Sequence, residues 1–126
     1  MKAMKIPAAI LLLLLLAALS DGFLLSRQCA VWTEILDQSE QAAITENWTQ
    51  AQTAFDDLSQ SWSKWQSWLH VLIDHAEIDH AEELQALCRL YLEEKDTAAL
   101  RTTVSQLRSL FSLLAETEQL NIKNVL

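Results

Sequence analysis

Residues 48–72 read WTQAQTAFDDLSQSWSKWQSWLHVL, and the apolar positions Trp48, Ala51, Phe55, Leu58, Trp62, Trp65, Leu69 and Leu72 recur at alternating spacings of three and four. This is an unbroken heptad seam, the pattern of a helix that buries one stripe against other helices. The positions between them, among them Thr49, Gln52, Asp56, Ser59, Ser63, Lys64 and Gln66, form a face suited to water. Only Trp68 widens the apolar stripe.

The same periodicity extends in both directions along the chain. Leu100, Val104, Leu107, Phe111 and Leu114 make a second seam, broadened by Leu110 and Leu113. Ile78, Ala81, Leu84, Leu87, Cys88 and Tyr91 mark a third helix, and Leu25, Cys29, Trp32, Ile35 and Leu36 mark a first. There is no glycine after Gly22 and no proline after Pro7, so nothing punctuates the chain as strands require. The predicted fold class is all-α. Asn47, Asp96, and Asp74 with Glu77 three residues later as a capping box, are the expected helix starts. Connections this short make successive helices antiparallel. An offset of forty-nine residues pairs Asn47 with Asp96, Ala51 with Leu100, Phe55 with Val104 and Trp62 with Phe111, an echo that any two capped amphipathic helices would also give.

The N-terminus is of another kind. Lys2 and Lys5 precede an apolar run, Ile6 to Leu19, that contains six consecutive leucines. Positive charge before such a run holds the N-terminus in the cytoplasm and sends the downstream chain outward. Ala18 and Ser20, with Asp21 and Gly22 next, offer a signal peptidase a small-x-small pattern that permits cleavage after Ser20. Apolar character nevertheless resumes at Phe23, Leu24 and Leu25, so Ile6 to Leu25 counts twenty residues. That is the length that crosses a hydrocarbon core of about 30 Å, and the uncleaved anchor is the favoured expectation. The division expected is a signal-anchor or transmembrane helix over residues 1–25 that continues into a small antiparallel helical bundle over residues 26–126.

Charge narrows the partners. Seven of the nine basic residues and all seventeen acidic residues lie beyond residue 20, which gives that portion a net charge of −10. That excludes nucleic acid and speaks against docking on an anionic lipid surface through clustered cations. Cys29 and Cys88 allow one internal disulfide, but each sits among apolar neighbours on an expected helix, as buried free cysteines do.

Two constellations bear on chemistry. His70 to Glu83 holds the one dense group of metal-competent side chains, in which His75, Glu77 and Asp79 are the candidate ligands for zinc or another divalent ion. Their spacing is not that of a familiar zinc site, and the same residues suit a solvated helix start, where acids favour the N-terminus. Capping by Asp74 and Glu77 is the preferred reading, and no cofactor is expected. The other constellation is Trp62, Trp65 and Trp68, of which the first two belong to the seam. Trp68 falls off it and is the candidate partner anchor or membrane-interface residue. Leu120, Ile122, Val125 and Leu126 make an apolar ending, with Ile122, Val125 and Leu126 as further partner candidates. Asn47-Trp48-Thr49 matches the N-glycosylation sequon. No nucleophile with a neighbouring base and no phosphate loop is found, so enzyme function is not expected.

Nearly the whole chain resembles the domain of unknown function 4363 family of small bacterial membrane-anchored proteins. The resemblance rests on Asn47-Trp48, Trp62 with Lys64, Leu72-Ile73-Asp74-His75-Ala76-Glu77-Ile78-Asp79, Arg89-Leu90-Tyr91, Asp96 with Ala99 and Leu100, and the ending from Glu118 to Leu126. It implies a single-pass anchored helical domain in the cell membrane, extracytoplasmic past the anchor, and an accessory role beside a multi-pass membrane protein; it brings no activity. Two function classes remain open: an anchored, non-enzymatic scaffold for an integral membrane protein, and an extracytoplasmic metal or small-ligand binder using His75, Glu77 and Asp79.

Overall fold

The computed structural model describes the backbone of residues 2–125 and the side chains of residues 5–17 and 24–117. Four helices account for nearly all of it: α1 (Lys2–Ile44), α2 (Trp48–Leu72), α3 (His75–Glu94) and α4 (Thr97–Val125). No strand occurs among the described residues. Helix α1 packs on α4 and α2, and α3 on α4 and α2, so consecutive antiparallel helices close a four-membered bundle with α1 and α3 on a diagonal. The heptad seams are its core. Phe55, Leu58, Trp62 and Leu69 of α2 are buried with Leu100, Val104, Leu107, Phe111 and Leu114 of α4, and Leu25, Trp32 and Leu36 of α1 close on them.

Trp32 is the hub of this core. Its ring centre lies 5.2 Å from that of Trp62, 5.4 Å from Phe111 and 6.2 Å from Trp65, the last edge-on. Tilted and edge-to-face contacts of this kind add to plain area burial. The buried indole N–H is satisfied as well, donating to Ser61 Oγ at 2.9 Å, and Gln28 Nε2 donates to the same hydroxyl at 2.9 Å.

Polar ties fix the register between helices. Arg108 of α4 reaches Asp37 and Glu40 of α1, and Arg89 of α3 pairs with Asp56 of α2 at 2.9 Å while lying over the Phe55 ring. Buried Ser39 donates to the carbonyl of Ala51 at 2.8 Å, which draws the small residues Ala42 and Ala43 against the start of α2.

The first and last hairpins turn in the same way, without glycine. Glu46 takes φ 61° and Lys95 φ 56°. The next amide in each case reaches back, Asn47 N to Ala42 O at 2.8 Å and Asp96 N to Tyr91 O at 2.9 Å, which closes a Schellman motif. Asn47 and Asp96 then cap the following helix as expected, accepting from Gln50 N and Ala99 N. The forty-nine-residue echo thus has a counterpart in shape: Glu46 and Lys95, equally spaced, hold equivalent positions.

One expectation needs correction, and another is met only in its coarser part, the all-helical fold. Asp74 has the extended backbone of an N-cap but makes no side-chain capping bond, so the Asp74 and Glu77 capping box does not form. Its main-chain carbonyl accepts from Glu77 N and Ile78 N instead, and the exposed carboxylate is left to solvent. The expected transmembrane helix is not supported either: among the described residues no helix is long and apolar enough to cross a membrane. Helix α1 does run unbroken from Lys2 into the bundle, and Ile6, Ile10 to Leu14 and Leu16 are exposed along it. Of the expected apolar ending, Leu120, Ile122 and Val125 fall on α4 but their side chains lie outside the described residues, and Leu126 lies outside them altogether.

Trp32→Ala should cost about 3 to 5 kcal/mol, a large part of the roughly 5 to 15 kcal/mol available to a small domain. Denaturant titration of the full chain in mild detergent, followed by circular dichroism, checks this. Lys95→Gly should act in the opposite sense, raising stability by up to about 1 kcal/mol as the Cβ leaves the left-handed region. An unchanged or lower unfolding midpoint for that variant would contradict the turn geometry.

Candidate functional site

The place where α1 changes character is also where the surface changes. Leu25 is fully buried, whereas Leu24 is 49% exposed and lines a cleft of about 330 Å³ with Lys64, Trp65, Trp68 and Leu72 of α2. On α2, Lys64, Trp68 and Leu72 succeed one another at intervals of four, a row that runs beside the seam and meets it at Leu72. Trp65 is half-buried and reaches Trp32, so one wall of the cleft is part of the core. Trp68 stands out at 56% exposed and Val71 at 78%, and both extend the apolar surface toward the end of α2. Sequence reasoning singled out Trp68 but not Leu24 or Lys64, although the four-residue spacing of Lys64 and Trp68 carried the signal.

The histidines are arranged differently from the expectation. His75 and Asp79 are exposed and Glu77 is half-buried. The group His75 meets is His70, across the turn between α2 and α3, with Nδ1 to Nδ1 at 3.1 Å and ring centres 5.1 Å apart. One ring must donate and the other accept. Among the described residues, no group of three or more His, Cys, Asp and Glu is placed to hold a metal ion. The acid that makes an interhelical contact in this region is Glu82, which accepts from Trp62 Nε1 at 3.3 Å and Gln66 Nε2 at 3.2 Å.

Cys29 and Cys88 are free and buried. Desolvation pushes both thiols up to about 12, so at pH 8 only about one in ten thousand is thiolate and neither is poised as a nucleophile. The sequon side chain is also engaged: Asn47 Nδ2 donates to Gln50 Oε1 at 2.8 Å while its oxygen caps α2.

A family model described as Domain of unknown function (DUF4363) matches residues 23–125. The chain belongs to that family. The match opens at the boundary where exposed leucines give way to the buried stripe beginning at Leu25, so the DUF4363 region coincides with the bundle and takes in the Leu24 cleft. No curated protein and no solved structure matches the chain. The resemblance read from the sequence is therefore established at the level of the family.

Trp68→Ala should change the unfolding free energy of this DUF4363 chain by no more than about 0.5 kcal/mol, in contrast to Trp62→Ala, because its ring is outside the core. Neither thiol should react with an aromatic disulfide reagent at pH 8 until denaturant is added, when both should. Each thiol rises from 9.0 to about 12 on folding, so its contribution to stability is complete below pH 9 and is lost as pH climbs toward 12. Rapid native labelling of either cysteine would contradict its burial.

Proposed function

We propose that this protein is a membrane-anchored, non-enzymatic helical accessory or scaffold. The N-terminal part of α1 sits in lipid, and the bundle is held at the outer face of the cell membrane beside an integral membrane protein. The observation that carries this reading is the exposure of Ile10, Leu11, Leu12, Leu13 and Leu14 in succession. Successive helical residues are about 100° apart, so five in a row point all round the axis and no single protein face covers them. A hydrocarbon solvent does.

Length is compatible with it: twenty helical residues, Ile6 to Leu25, rise about 30 Å at 1.5 Å per residue, although no helix among the described residues combines the length and apolarity of a membrane span. Lys2 and Lys5 place the short end inside. With the anchor uncleaved, Trp68 and Val71 lie at the end of the bundle nearest the lipid, where they can meet a neighbouring membrane protein. Zinc or another divalent ion at His75, Glu77 and Asp79 has no geometric support among the described residues.

The full chain, produced in a bacterial host, should remain in the membrane fraction through alkaline carbonate washing, with a mass that includes the leader. Removing residues 2–22 should release it. A soluble chain beginning at Asp21 would overturn the anchor, and intact-mass measurement distinguishes the two.

A further inference from the structure

We propose that the cleft between Leu24 and the end of α2 is a binding site for one anionic phospholipid of the anchoring bilayer, with its acyl region on Trp65, Trp68 and Leu72 and its phosphate on Lys64. The site rests on the membrane-anchor reading above. Three observations carry it. First, the volume, about 330 Å³, lies in the range of ligand clefts, and the walls are apolar apart from a single cation. Second, that cation has no partner. Arg89, Arg101 and Arg108 are all in ion pairs, whereas Lys64 has neither a hydrogen bond nor an ion pair among the described residues. An unpaired ammonium on the wall of a cleft that also holds Trp65 and Trp68 suits a phosphate, which it can meet as a mobile point charge on an apolar stem.

Third, the location supplies the ligand. Leu24, on the same helix as the exposed Ile10 to Leu14, lines the cleft, so on the anchored reading the cleft opens beside the helix that enters the bilayer. The chain after residue 20 carries seventeen acidic residues against seven basic ones, which disfavours broad adhesion to anionic headgroups. A single lipid held at one cation is compatible with that repulsion, and the rest of the domain stands off the surface.

The test reconstitutes the full chain in vesicles of phosphatidylcholine containing a minor fraction of phosphatidylglycerol, with bromine on the acyl chains of one lipid or the other. Flotation reports anchoring, and quenching of tryptophan fluorescence reports which lipid occupies the cleft. Brominated phosphatidylglycerol should quench well beyond its share of the bilayer, by about fivefold for one interfacial cation. Lys64→Gln should abolish that preference and Lys64→Arg should keep it, both floating as the parent does. Quenching in proportion to bilayer composition, unaltered by Lys64→Gln, would overturn the lipid site and leave the anchor standing. Failure to float would overturn the anchor and the lipid site together.

Discussion

One constraint organises the molecule: α1 is a single helix with two kinds of surface. Ile6, Ile10 to Leu14 and Leu16 are exposed around the axis, and from Leu25 onward the helix buries a stripe, Leu25, Cys29, Trp32 and Leu36, while its opposite face is wet. No hinge separates the two parts. Whatever holds the first part therefore sets the direction of the bundle, because a continuous helix transmits orientation where a flexible linker would lose it. Trp32 makes the coupling firm. It stands two turns past Leu25 and binds α1 to α2 through Trp62, Trp65 and Ser61, and to α4 through Phe111.

The far end of the bundle solves a different problem. Two tight hairpins must reverse the chain, and neither has a glycine to take the left-handed position. Glu46 and Lys95 take it instead, at a cost of about 1 kcal/mol each, and the back-reaching amides of Asn47 and Asp96 offset that cost. Each of those residues then also caps the next helix, so one side chain ends a turn and starts an element. The α2 to α3 connection does without both devices. Its Asp74 uses only its backbone, and its two histidines meet in the open.

Much of this was legible in the residues. The seams at Phe55, Leu58, Trp62 and Leu69 and from Leu100 to Leu114 are buried as their spacing demands, since helical periodicity is local and core packing reads it directly. The roles of Asn47 and Asp96 were legible for the same reason. What escaped depends on contacts between distant segments. Ser39, Ala42 and Ala43 look like an ordinary polar and small run, and only the approach of α2 makes them buried. His70 lies five residues before His75 on another helix, so no face argument within α3 could pair them. At the cleft, Lys64 and Trp68 could be placed on one helical face, but Leu24 joins them only because α1 and α2 run antiparallel.

The charge distribution ties these points to function. Arg89, Arg101 and Arg108 are partly or largely exposed, so their pairs with Asp56, Glu40 and Asp37 are worth little in free energy, about 0 to 1 kcal/mol apiece. Their effect is to set register between helices. On the anchored reading proposed above, the acidic surface would be repelled by anionic headgroups while the leucine helix is drawn into lipid. Opposed in this way, the two forces would favour a bundle that stands on its anchor, with the apolar edge of Leu24, Trp68 and Val71 turned to the bilayer.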